Sequence, residues 1–476
     1  MNSWLEVLKP EEIEEIHAAS LEVLEDVGVE FQLEEARAAF QAHGARVAGS
    51  RVYIPRLLIE QALTAAPERF LLEARNPARS VWIGGGETVF APPAGCVYVQ
   101  ATGTARRSAV PADYIDLVRL VHQSTHYGTN GGGIVIPEGD FGSDEEKFAW
   151  LLLAGHWYSD KPQMGLNLGA KVSRLALDFS RMAFGGRPGC RILGTINPDS
   201  PLMFSPEMLA SLLIYAREGQ GLIVAPCSMA IATSPATLAG TLVVNNAEIL
   251  AGLTLAQLVR PGTPVVYGNT STIADMKTMA IALGAPELSL LVLGTAQMAR
   301  RYRLPSRAGG SLTDAKEPDM QAGLESMLSL LSTVAGGVSI VMHAGGILDS
   351  FLTLSYEKLI IDEDTGGMAK RFQRGIEVNR ETLALEAIAD RGAGGNFLDH
   401  EHTLKHFRNE IWRPQLSDRE VYQEGRDYQA YTLAKATQAW QKRLEGYSRP
   451  VLPEEVEREM LDFYHQRFGS EPVLDV

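Results

Sequence analysis

The spacing of apolar positions changes character along the chain and divides it into three parts. Ile13, Ile16, Leu21 and Leu24 fall on one face of a helix over residues 8–27, with Pro10 near its start and Glu11 and Glu12 in its first turn. Further helical patterns cover 32–43 and 53–67. Between 69 and 105 the segments FLLEA, VWIGGGETVFAPPAG and CVYVQATG alternate or run apolar between Gly and Pro breaks, a pattern of short strands and hairpins. Helical spacing returns over 111–123. Residues 1–120 are therefore read as an N-terminal helical and hairpin cap.

From 125 to 400 a regular rhythm takes over. Short apolar runs (GGIVIPEG, PQMGLNL, CRILGTINPDSP, GLIVAPCSMAIA, TPVVYGNTS, LPSRAGGSLTD, VSIVMHAGG and GGNFLDHE) alternate with helical segments. Such alternation predicts an α/β protein, a (β/α)8 TIM barrel occupying 121–414. No G-x-G-x-x-G turn follows the first run, which speaks against a doubly wound sheet. The long gap before the last run leaves room for an extra helix pair over 355–391. The charged, helical segment 415–476 is read as an extension packing on the outside of the barrel.

In a barrel the site is built where strands give way to their loops. Those positions hold Pro137 and Glu138, Asn167, Asn197, Ser228, Asn269 with Ser271, Ser311 with Asp314, His343, and finally Asp399, His400 and His402. The set is rich in neutral hydrogen-bonding groups. It contains no pair of carboxylates for acid–base work and no G-x-S-x-G nucleophile turn. It suits a small polar organic molecule transformed by a reagent the protein does not itself supply. His343 ends a buried-strand run and is followed by Gly345 and Gly346, so it can donate a hydrogen bond to an anionic substrate group. Phe90, Tyr98, Phe351 and Tyr356 are candidate rings for an apolar or cationic group, each contributing roughly 0.5–2 kcal/mol to a desolvated cation. Most aromatic side chains are ordinary core, which is the competing account. His400, His402 and His406 form the chain's one histidine cluster. Two of them stand at strand spacing and would point to the same face, but capping and packing explain the cluster better than zinc does, since no cysteine or H-E-x-x-H pattern accompanies it, and no metal site is expected.

Composition narrows the classes. The formal charge of −15 over 476 residues argues against a nucleic-acid binder. Three widely spaced cysteines (Cys96, Cys190, Cys227) fit a reducing cytoplasm better than a disulfide framework. The acidic, amphipathic start is unlike a signal peptide, and apolar runs such as 221–232 are too short and interrupted to span a bilayer.

Several stretches together resemble the trimethylamine methyltransferase family. They are SPATLAGTLVVNNAEILAGLTLAQLVRPGTPVVYG (234–268), GGSLTDAKEPDMQAGLES (309–326), the HAGG stretch, GNFLDHEHTLKHFRNEIWRP (395–414) and the opening LKPEEIEEIHAASLEVLEDVGVEF. The resemblance spans nearly the whole chain. It implies a barrel that moves a methyl group from an amine to the Co(I) corrinoid of a separate carrier protein. The trimethylamine enzymes carry pyrrolysine, whereas this chain has only standard residues, so it resembles the branch that demethylates quaternary amines such as glycine betaine, giving dimethylglycine. Proline betaine, carnitine and γ-butyrobetaine are rival substrates, and a non-catalytic quaternary-amine binding protein is the alternative from another class. The resemblance implies that His343 holds the substrate carboxylate and that Tyr98 and Phe351 are cage rings. No residue is expected to act as an acid or base. No histidine has Asp two residues before it, so the D-x-H-x-x-G cobalamin signature is absent, and the corrinoid is expected on a partner. A homo-oligomer is expected because large barrels often associate.

Overall fold

The structure, a computed structural model, describes residues 4–474. Seven short strands lie side by side, all parallel, in the order Val89–Phe90, Ile340–Val341, Ser306–Arg307, Val265–Gly268, Gly221–Val224, Ile192–Ile196 and Gln163–Gly165. The two edges meet through residues 127–130. The Gly128 amide donates to the Phe90 carbonyl at 2.7 Å, and the Asn130 amide to the Pro162 carbonyl at 3.0 Å. The sheet thereby curls into a ring, which removes its open edges. Buried on both faces, most of the strands read as continuous apolar runs, such as Gly221–Val224, whose residues are all buried.

Two runs take places other than those expected. GGNFLDHE supplies no strand: residues 392–398 are exposed turn, and a helix, Glu401–Glu410, follows. The ring is completed instead by Val89–Phe90, a two-residue strand from the segment read as a cap. Two residues are too few to carry a periodic signature, and only the partner strand identifies them. GGIVIPEG likewise follows the ring-closing segment and becomes loop. The first helix is shorter than its pattern, Pro10–Glu22, and passes into a π-helical turn, Val23–Val27.

The helix Leu238–Val259 is the central pillar. It is apolar and long enough to cross a membrane, yet 78% of its apolar stretch is buried by the rest of the fold. A helix apolar on all sides is a core helix when protein surrounds it. Its few polar residues fasten it. Asn245 donates to Asn269 Oδ1 at 3.3 Å, Asn246 donates to the Tyr302 hydroxyl at 3.0 Å, and Glu248 accepts from the Leu202 amide at 2.6 Å and the Ser200 hydroxyl at 2.9 Å. At the C-terminal end, Tyr428–Glu445 docks on Tyr356–Arg374 through a two-bond Arg443–Glu363 pair at 2.7 and 2.8 Å, and Phe463 packs on Phe179.

Glu248 yields a test. Burial pushes its carboxyl up from 4.5 to about 7. Because its folded value lies above its unfolded one, its contribution is fully present below the unfolded value. That contribution, roughly 3 kcal/mol by linkage, is lost as pH rises through about 7. Glu248→Gln should flatten the fall in urea midpoint between pH 5 and pH 8; an unchanged slope would remove Glu248 as its source.

Candidate active site

A cavity of about 490 Å³ opens where the parallel strands end, the usual ligand side of such a sheet. Each strand or its loop supplies part of the wall. Gly132 and Gly133 come from the ring-closing segment, Met164 to Leu168 from the next strand, and then Thr195 with Asn197, Cys227, Thr270, Arg307, and Met342 with His343. Phe148, on the helix Asp144–Tyr158, and Phe351, in the turn between the antiparallel strands Ile347–Leu348 and Thr353–Ser355, add two rings. Gly132 is needed because a Cβ there would collide with the Met164 carbonyl.

Two side chains dominate the chemistry, and they share a local pattern: Arg307-Ala-Gly-Gly and His343-Ala-Gly-Gly. Gly310 has φ +148°, and a Cβ there would lie 2.6 Å from the Met342 carbonyl and 2.8 Å from that of His343. The two loops can thus lie together, joined by the Ser311 amide donating to the His343 carbonyl at 2.9 Å. His343 adopts φ +56°, an unusual state for a non-glycine residue and one found at sites that need a fixed direction. Its ring is buried and lies 4.7 Å from that of Phe351. Nδ1 accepts a long hydrogen bond, 3.4 Å, from the Ala94 amide, which places the proton on Nε2. Burial, aided by the charge of Arg307, lowers its pKa to about 3, so His343 is a neutral donor.

Arg307 is only 2% exposed. Its Nη1 donates to the Asn269 carbonyl at 2.9 Å and to the Thr270 hydroxyl, while Nε has no partner. Burial lowers its pKa to about 10, so it stays charged at neutral pH. Among the described residues no carboxylate pairs with it, and none lines the cavity. A buried cation without a counter-ion is costly unless a ligand supplies one. Cys227 faces the same space with its thiol.

The expected residues divide. His343, Phe351, Asn167 and Asn197 line the cavity. Asn197 donates to the Ala225 carbonyl at 2.6 Å, and Asn167 makes only a weak contact with the Met208 sulfur at 3.4 Å. Tyr98, Tyr356, Phe90 and Asn269 do not line it. The face of Tyr98 already carries the chain's own Arg106 guanidinium at 4.4 Å. Tyr356 donates to Asp113 at 2.9 Å and packs on Trp440 at 4.9 Å. Phe90 packs on His126 at 4.4 Å and against the Lys370 ammonium at 4.2 Å. The Asn269 amide is consumed by Asn245, the Ser271 amide and Thr295, so only its carbonyl serves the site. Arg307 and Phe148 were not anticipated; the repeated x-A-G-G pattern was the available signal for the arginine.

The histidine cluster lies on a helix, not at strand spacing. His400 caps Glu401–Glu410 by accepting from the His402 amide at 3.0 Å, and His402 and His406, one turn apart, contact Glu381 at 3.2 and 3.0 Å. Among the described residues no group of three or more His, Cys, Asp or Glu could share a metal ion.

The model of the trimethylamine methyltransferase (MTTB) family matches residues 2–472. A glycine betaine methyltransferase of Desulfitobacterium hafniense is 37% identical over 97% of both chains. A proline betaine:corrinoid methyltransferase of Eubacterium limosum is 32% identical, over 95% of this chain and 96% of its own. An L-carnitine:corrinoid methyltransferase of the same organism is 30% identical, over 92% and 93%. Among solved structures, the monomethylamine methyltransferase of Methanosarcina barkeri shares the fold at 12% identity, with a TM-score of 0.56 over 94% of this chain and 89% of that one. With a family model spanning nearly its full length and relatives aligned end to end, the chain belongs to the trimethylamine methyltransferase family.

Proposed function

We propose that the protein moves a methyl group from a carboxylate-bearing quaternary amine, glycine betaine first among them, to the Co(I) corrinoid of a separate carrier protein, releasing dimethylglycine. The names of the similar proteins support the reaction class. The observation that carries the substrate class is Arg307: buried, charged, short of a counter-ion and set beside a neutral histidine donor. Its natural complement is a carboxylate. The remaining wall, with Phe148, Phe351, Ile136 and Met164, is apolar and aromatic and suits methyl groups on nitrogen. A zwitterion satisfies both ends at once. The ring of strands is read as a (β/α)8 barrel with the N-terminal elements and C-terminal helices laid against it.

The corrinoid supplies a nucleophilic metal that takes the methyl carbon. The chain's own residues bind and orient. Arg307 and His343 hold the carboxylate, and the apolar wall excludes water and leaves the ammonium unsolvated. A quaternary nitrogen leaves as a neutral amine, so no proton transfer is required, in accord with a cavity whose histidine stays neutral down to about pH 3. Binding of the cation has to be moderate, because affinity shared equally by substrate and transition state does not raise kcat.

Incubation with free Co(I) cobalamin and a substrate panel (glycine betaine, proline betaine, carnitine, γ-butyrobetaine) tests the reading by the appearance of methylcobalamin. Binding without methylcobalamin would instead support a non-catalytic quaternary-amine binding protein. His343→Ala should raise KM for the active betaine roughly tenfold or more, as loss of a hydrogen bond to a charged group does; unchanged kinetics would take His343 out of the site.

A further inference from the structure

We propose that Asp349 is a positioning residue for the onium end of the pocket, acting through Phe351; this rests on the betaine reading above. Asp349, Ser350 and Phe351 are three consecutive non-glycine residues with φ +51°, +52° and +77°. Such a run is unfavourable on its own, most of all at the bulky phenylalanine, and persists only where the surroundings hold it. Here they do. Asp349 pairs with Arg106 at 2.5 Å and with Lys316 at 2.8 Å. Its amide donates to the Ala315 carbonyl at 2.8 Å, and the Ser350 hydroxyl donates to Asp314 at 2.6 Å.

The clamp joins three segments distant in sequence: the hairpin bearing Arg106, the loop after the Arg307 strand, and the turn itself. The turn's product is the placement of Phe351, one of two phenylalanine rings on the cavity wall, against His343. Arg106 and Lys316 are 46% and 67% exposed, and pairs so exposed add little to global stability. What they fix is local direction. Tyr98, whose ring lies under Arg106, thus serves as a platform for the clamp.

The test uses the full chain carrying Asp349→Asn, which keeps a side chain tolerant of positive φ but removes the charge. The KM for glycine betaine should rise roughly three- to thirtyfold, the range one ring supplies to a desolvated cation, with kcat and the urea midpoint little changed. Phe351→Ala should show a similar rise, and the double variant no further loss, because the first residue acts through the second. Arg106→Lys, which retains the charge, should stay close to wild type. Hydrogen exchange at residues 349–352 needs no turnover, so it separates this inference from the proposed reaction: Asp349→Asn should speed it roughly tenfold. Unchanged exchange, additive KM effects, or a lowered midpoint with unchanged KM would each overturn the assignment.

Discussion

Arg307→Met is expected to reduce kcat/KM for glycine betaine by roughly one hundred- to a thousandfold, the loss that follows from deleting a buried, charge-assisted clamp on a carboxylate. The same variant should leave the response to tetramethylammonium, which has no carboxylate, within a few-fold of wild type. The contrast between the zwitterion and the simple cation is the discriminating measurement, because a general disturbance of the pocket would depress both. Stability should move the other way or not at all. In the free protein the guanidinium is 2% exposed with its Nε unpaired, a state that burdens the fold and is relieved when an anion binds. Arg307→Lys should be intermediate: it keeps the charge but lacks the planar fork that meets two oxygens at once. Equal losses on both compounds would sink the assignment of Arg307 to the carboxylate.

The second large effect lies beneath the site. Lys358 and Asp362, one turn apart on the helix Tyr356–Arg374, are each 2% exposed and pair at 2.6 Å. Asp362 also accepts from the Gly346 amide at 2.7 Å, while Lys358 donates to the Ser311 carbonyl at 3.3 Å and the Ser326 hydroxyl at 2.9 Å. The pair therefore grips both glycine-bearing loops that carry Arg307 and His343. Lys358→Met strands a carboxylate in the core, and removal of one partner of such a pair costs about 3–5 kcal/mol. Burial already raises the Asp362 carboxyl, and without the ammonium it should rise further. With the folded value above the unfolded one, protonation spares the variant at low pH, and the deficit grows as pH rises through the folded value. Urea midpoints of wild type and variant should lie closer at pH 5 than at pH 8. Lys358→Met/Asp362→Leu should recover most of the loss, since two apolar residues leave no charge unpaired. A single variant equal to wild type at both pH values would show the pair to be dispensable.

Much of the architecture was legible because its signals are local. A buried strand needs a short apolar run, and the helices Asp144–Tyr158 and Met320–Ala335 announce their starts through Ser143 and Asp319, whose side chains accept from Glu146 and Ala322 amides at 3.1 and 3.0 Å. His343 and Phe351 were visible for a similar reason: each stands beside a strand end or a break that the chain itself marks. GGNFLDHE shows the limit. Its apolar letters match a strand, yet no neighbour offers it an edge, and residues 392–398 stay exposed while Val89–Phe90 fills the place in the ring.

The alternation of strands and helices, the position of the ligand side and the neutral character of most of the site were thus determined by the sequence alone, since each depends on contiguous residues. Tertiary structure alone decided which rings face the cavity and which charge is free to bind. Tyr98 and Arg307 are both reasonable cation or anion partners on paper. One is taken by Arg106, from eight residues along its own hairpin, and the other finds no acid among the described residues. Whether a polar group is satisfied depends on neighbours brought from hundreds of residues away, and no local pattern contains that information.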